Sequence, residues 1–185
     1  MTTSESLLTA EEFANLPEAP SGERMELIRG RVVMAPPADT YRGMHAFEIG
    51  VALRGFIRAH HLGVLTGEGG YLLAEDPDIV RAPDVAWIAA DRGSPAPGEY
   101  FRGAPNLAVE IVSPHDRDDD VAEKVADWIA AGSQRVWVVR PRQRAVTVHR
   151  PNGDAHTYRY TDTLDSDAAG FPVSGFELSL AALFP

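Results

Sequence analysis

A mixed α/β fold, a central sheet of parallel and antiparallel strands flanked by helices, is what the sequence predicts, and three observations predict it. LAVEIV at 107–112, a helical stretch from about Asp118 to Ala131 ending at Gly132, and RVWVV at 135–139 have the lengths of a strand–helix–strand crossover. The later segments AVTVHR, AHTYRY and FELSL alternate or turn as antiparallel strands do. Between Tyr41 and about His61, the spacing of Phe47, Val51, Leu53, Phe56 and Ile57 is that of a long amphipathic helix. Parallel and antiparallel signals in one chain make the sheet mixed.

The remaining elements follow in order. SLLTAEEFANLP carries an N-cap candidate in Thr9, acids Glu11 and Glu12 in the first turn and Pro17 past the end, so it reads as a short helix. MELIRGRVVMAPP holds extended pieces at 25–29 and 31–35 around Gly30, either a hairpin with a very short turn or one bent strand. VLTGEGGYLLAED gives two short strands separated by glycines, and RAPDVAWIAAD a strand introduced by Pro83. RGSPAPGEYFRGAPN, rich in Gly and Pro, reads as a loop. No internal repeat is visible.

Bulk properties narrow the class. A chain of 185 residues with 44% hydrophobic and 24% charged residues is expected to form a single globular domain over 1–185, with 1–8 a flexible N-terminus. Seventeen basic against 27 acidic side chains leave a formal charge of −10, which excludes whole-molecule attraction to nucleic acid or anionic membrane. The absence of cysteine excludes disulfides and thiolate metal sites. No apolar run approaches the ~20 residues of a membrane span, and MTTSESLLTAEEF lacks the features of a signal peptide, so a cytoplasmic location with no membrane partner is expected.

Three charges stand where the patterns want none. In LAVEIV the period of two places Leu107, Val109 and Ile111 on one face and Ala108, Glu110 and Val112 on the other. Both faces are otherwise apolar, so the strand is covered on both sides and the Glu110 carboxylate needs something to offset its burial. An arginine partner or a place at the strand edge would suffice. On the following helix the apolar stripe Val121, Val125, Trp128 contains Lys124, which either points at the sheet, pairs with Asp120 or runs out to water along its own stem. Asp84, behind Pro83, opens the DVAWI strand; it is a turn residue or cap, or it converges with Glu110 if the two strands are neighbours. Two carboxylates and an ammonium at one sheet end form a set suited to a hard divalent cation and to phosphodiester hydrolysis.

These segments, MELIRGRVV, RAPDVAWI, NLAVEIVSP, DDDVAEKVADWIAAG and RVWVV, resemble the Uma2 family of endonucleases (DUF820) within the PD-(D/E)XK nuclease superfamily, from about residue 9 onward. The resemblance implies a restriction-endonuclease-like core. Pro83 and Asp84 match the PD, and Glu110 matches the acid of the second half-motif. Val112 stands where that motif has lysine, and the resemblance implies that Lys124 on the next helix takes its place. It further implies that Asp84, Glu110 and the Ile111 carbonyl hold Mg²⁺ or Mn²⁺, that Lys124 is catalytic, and that Glu26 in MELIRG is a further ligand or base. His45 also matches a family position but is left outside the core set.

The expected function is therefore a metal-dependent endonuclease acting on DNA. A non-catalytic binding or assembly protein that keeps the fold, and a hydrolase of another phosphate ester, are the alternatives. Binding DNA at −10 requires a local basic rim, for which Arg24, Arg29, Arg31, Arg42, Arg81, Arg92 and Arg102 are candidates. A homodimer is expected from the two-strand substrate, with the apolar FELSLAALFP as the surface that would cover a partner.

Overall fold

A computed structural model describes residues 7–17, 19, 23–35, 37, 39–114 and 116–184. The helices are α1 (Ala10–Ala14), α2 (Thr40–Ala59), α3 (Asp118–Ala130), α4 (Ser166–Ala169) and α5 (Leu180–Leu183). The strands are β1 (Arg24–Ile28), β2 (Arg31–Ala35), β3 (Gly63–Thr66), β4 (Tyr71–Ala74), β5 (Ile79–Arg81), β6 (Val85–Ala89), β7 (Phe101–Arg102), β8 (Leu107–Ile111), β9 (Arg135–Arg140), β10 (Ala145–His149), β11 (Ala155–Arg159), β12 (Thr163–Asp165) and β13 (Glu177–Ser179). They form sheets of order β2-β1-β5-β4-β7 and β11-β10-β9-β8-β6-β3, with a separate β12-β13 pair.

The six-stranded sheet is mixed because β8 and β9 run parallel, Leu107 opposite Arg135 through Ile111 opposite Val139, while its other pairings are antiparallel. A parallel pair needs a crossover, and α3 supplies it. The alternation expected in β8 holds. Leu107, Val109 and Ile111 face α2 and the C-terminal segment, packed with Ile49, Leu53, Ile57, Trp87 and Trp137. Ala108 faces α3, packed with Trp128, Ala86, Ile88 and Val136. Burying a large side chain such as Trp137 or Leu107 stabilises the fold by about 1.5–3 kcal/mol each.

At the N-terminal end the capping box of α1 closes as its residues suggest. Thr9 Oγ1 accepts from the Glu12 amide at 3.2 Å, and the Glu12 carboxylate accepts from the Thr9 amide at 2.8 Å. The open choice around Gly30 resolves into a hairpin: β1 and β2 pair in register from Arg24–Ala35 to Ile28–Arg31, and Arg29 and Gly30 both take positive φ, 51° and 75°. Of the expected N-terminal tail, residues 1–6 lie outside the described residues, and the Leu8 amide donates to Gly30 O at 2.8 Å.

Three expectations need correction. In α2 the inward line is Arg42, His45, Ile49, Leu53 and Ile57, whereas Phe47 and Val51 are 69% and 54% exposed. Phe47 and Ile49 lie 200° apart on a helix, so apolar residues stand on both sides and only the docking of α2 on the sheet decides between them. The C-terminal FELSLAALFP contains β13 and α5, and its Phe176, Leu178, Leu180, Leu183 and Phe184 are buried in this chain's own core, so these apolar side chains do not form the expected partner surface. The Gly/Pro loop contains β7, which pairs parallel with β4. Among the described residues no helix is long and apolar enough to cross a membrane.

Candidate active site

Glu110 lies on the α3 side of β8 and is 3% exposed. Two residues one turn apart on α3 reach its two oxygens. Trp128 Nε1 donates to Oε1 at 2.8 Å, and Lys124 Nζ stands 3.4 Å from Oε2. Lys124 therefore points at the sheet, the first of its three options, with its side chain 19% exposed. The same ammonium lies 3.4 Å from Glu26 Oε1, so one lysine bridges carboxylates from two different sheets.

Glu26 belongs to a second group of contacts. Its Oε1 accepts from the Ala82 amide at 3.1 Å and its Oε2 from Arg81 Nη1 at 3.0 Å. Arg81 in turn donates from Nε and Nη2 to Asp127 Oδ2, at 2.9 and 2.5 Å, and Asp127 receives Arg29 Nη2 at 3.6 Å. Arg29 also pairs with Glu123.

Asp84 stands at the entrance of β6, its amide bonded to Val109 O at 3.0 Å, so β6 and β8 are neighbours and the two acids meet at one sheet end. Its carboxylate is gripped by Arg42, Nε to Oδ1 at 2.7 Å and Nη2 to Oδ2 at 2.9 Å, and Oδ2 also accepts from the Ile111 amide at 2.6 Å. Arg24 Nη1 lies 3.4 Å from Oδ1. Arg42 reaches this point because Asp39 caps α2, accepting the Arg42 amide at 2.7 Å, and Arg42 occupies the first turn on the inward side.

The environments drive the two glutamates apart. Burial pushes both carboxyls up. For Glu26, Lys124, Arg81 and the Ala82 amide outweigh burial, and its pKa lies below the ordinary value. For Glu110, burial prevails over Lys124 and Trp128 because the Asp84 and Glu26 charges add to it, and its pKa lies above. Lys124 is held above its ordinary value: burial lowers it, and Glu110 and Glu26 more than reverse that.

Part of this set borders a cleft of about 230 Å³ between the β1–β2 hairpin, the start of α2 and α3: Arg24, Glu26, Arg42, Arg81 and Lys124 open into it beside Asp116, Asp120 and Glu123, whereas Asp84 and Glu110 do not line it. A recess of about 40 Å³, lined by Glu110, Ile111, Arg42, Asp116, Asp120 and Lys124 but not by Asp84, adjoins it and shares Arg42 and Lys124 with it. Among the described residues no three His, Asp or Glu side chains form a ready metal cage. The rim differs from expectation: Arg24, Arg42 and Arg81 line the cleft, yet each is paired with a carboxylate of the site. Arg92 donates to Ala104 O and lies over Phe101, and Arg102 pairs with Glu75. His45 packs edge-on against Tyr41 and Phe184, and Ile111 contributes its side chain to the core.

Asp127 and the hydrogen bond of Trp128 escaped the sequence reading, although Asp127 gave the signal that exposed Lys124: a charge three residues on, on the inward face of the same helix. Arg42 and Arg81, read as rim contacts, are the internal counter-ions of the site.

A mixed sheet whose crossover carries an acid and a helical lysine opposite a second acid defines a restriction-endonuclease-like core. The chain belongs to the Uma2 family, described as "Putative restriction endonuclease", whose sequence model matches residues 10–182. The crystal structure of "a putative nuclease belonging to DUF820" from Anabaena variabilis ATCC 29413 has the same fold, with a TM-score of 0.77 at 22% identity, over 96% of this chain and 97% of that one. No curated protein matches the chain.

Proposed function

We propose that this chain is a divalent-metal-dependent endonuclease that hydrolyses phosphodiester bonds of DNA in the cleft between the hairpin and α3. The observation that carries the reading is the placement of Glu110, a carboxylate 3% exposed with Lys124 Nζ at 3.4 Å, whose pKa is raised by burial and further by the Asp84 and Glu26 charges. Such a group lacks positive charge, and the adjoining recess of about 40 Å³ has room for an ion or a water, which needs roughly 10–15 Å³. Oxygen donors of this kind suit Mg²⁺ or Mn²⁺.

Asp84 and Glu110, with the Ile111 carbonyl, are the residues that would hold the cation. When bound, it would lower the pKa of a coordinated water and neutralise charge on the phosphoryl oxygen. The chain's own groups do the rest. Lys124, oriented by Glu26 and kept fully protonated by both glutamates, orients the attacking water and opposes negative charge developing on the phosphate. Glu26 is a positioning residue, fixed by Arg81 and Ala82. Arg42 and Arg24 shift part of their interaction from Asp84 to the incoming phosphate, which supplies local positive charge on an acidic molecule.

Purified protein incubated with supercoiled plasmid and Mg²⁺ or Mn²⁺ should nick or linearise it, and EDTA should stop the reaction. Asp84→Ala, Glu110→Ala and Lys124→Ala should each remove cleavage. A parent that cleaves nothing with either ion, or variants that cleave as well as the parent, would sink the reading. The grip of Arg42 on both oxygens of Asp84 favours the second reading, a non-catalytic assembly protein in which arginines have replaced the cation. That reading requires the tryptophan fluorescence of the parent to ignore Mn²⁺, whereas the nuclease reading requires a saturable change that Trp128→Phe removes.

A further inference from the structure

We infer that α2 is the interface between two copies of this chain, paired antiparallel about a twofold axis beside Val51. This rests on the outward face of α2 and is independent of the nuclease reading. Met44, Phe47, Val51, Arg54 and Arg58 follow one another at alternating steps of three and four residues, the spacing of a helix–helix seam. Its apolar members are open to water: Met44 is 41%, Phe47 69% and Val51 54% exposed. Tyr41, 50% exposed, extends the stripe toward the cleft. A lone exposed Phe needs no explanation, but an apolar stripe along one helix face does.

The second observation is the set of glycines beside the seam. Gly43 and Gly55 lie inside a 20-residue helix, where glycine is unfavourable, and a Cβ added to either would meet nothing within 4 Å. Packing among the described residues therefore does not require them. They would leave hollows beside the seam of a second helix.

Charge selects the occupant and the direction. With the axis at Val51, antiparallel pairing sets Glu48 of each copy opposite Arg54 of the other, Phe47 over Gly55, and the stem of Met44 along Arg58. Parallel pairing would set Glu48 on Glu48 and Arg54 on Arg54. Neither Glu48 nor Arg54 has an ion pair among the described residues, so both remain available. The face is thus complementary to itself under a twofold operation, which is the requirement of an isologous dimer. A nucleic-acid backbone would instead demand cations where Phe47 and Val51 stand.

Sedimentation and cross-linking test this on the intact chain. The parent should run at twice the mass of the 20.1 kDa chain. Phe47→Asp, a change at an exposed position, should shift it to single mass with unchanged circular dichroism. Glu48→Arg should weaken the dimer at least tenfold, and adding Arg54→Glu should restore it. Because the chain has no cysteine, Val51→Cys gives a single thiol, which should form a disulfide-linked dimer on mild oxidation, while Ala96→Cys in the Gly/Pro loop should not. A monomeric parent, a dimer that survives Phe47→Asp, or Val51→Cys linking no faster than Ala96→Cys would overturn the assignment, whatever the outcome of the cleavage assay.

Discussion

Glu26 and Glu110 face the same ammonium at the same distance, 3.4 Å, from two different sheets, yet their carboxyls move in opposite directions. Glu26 also receives a full charge from Arg81 and an amide from Ala82, whereas Glu110, among the described residues, receives besides that ammonium the Trp128 indole alone and lies deeper, beside Asp84. A salt bridge to lysine does not by itself settle the state of a buried acid. The number of donors and the nearest like charges do, and they make Glu26 a fixed clamp and Glu110 a group that gains from a further cation.

The largest expected effect is on turnover. Lys124→Ala should cut the cleavage rate by about 10²–10³-fold, the range for removing one preorganised donor to developing charge; a smaller loss would place the ammonium outside the chemistry. Arg81→Met removes the charge that separates the two glutamates and leaves Glu26 and Asp127 buried without it. Denaturant unfolding should lose about 3–5 kcal/mol, and a loss below about 1 would show that the Glu26 side is no clamp.

Trp128→Phe keeps the ring but deletes the donor to Glu110. Stability should fall by about 1.5–3 kcal/mol, and the pH dependence of Mn²⁺ binding should move further up. The last pair sets the glutamates against each other. Glu26, lowered in the fold, stabilises it above its ordinary pKa, and that stabilisation disappears as pH falls through the lowered value. Glu110, raised in the fold, costs stability once pH exceeds its ordinary value. At neutral pH, Glu26→Gln should therefore lower the melting temperature, and Glu110→Gln should leave it unchanged or raise it. Mn²⁺ affinity in the parent should rise with pH above the ordinary glutamate range and lose that dependence in Glu110→Gln. Melting curves that move in the same direction for both would break the comparison.

Much of this was legible before any coordinates. The crossover β8–α3–β9, the alternation of β8, and the two misplaced charges Glu110 and Lys124 follow from periods of 2 and 3.6, which depend only on local backbone geometry. Because a charge at a buried phase of either period is anomalous wherever the element docks, the two charges were readable from the residues, while their convergence was implied only by the family resemblance and is met by the 3.4 Å contact of Lys124 with Glu110. Tertiary structure alone decided the rest. Arg42 and Asp84 are 42 residues apart and Arg81 and Glu26 are 55 apart, so which guanidinium meets which carboxylate depends on how three elements close around the cleft. The same holds for α2, whose two apolar sides are equivalent in sequence until one is laid on the sheet, and for the C-terminal segment, which folds back into its own core. Period is a property of neighbours along the chain; charge compensation and the choice of face are properties of neighbours in space.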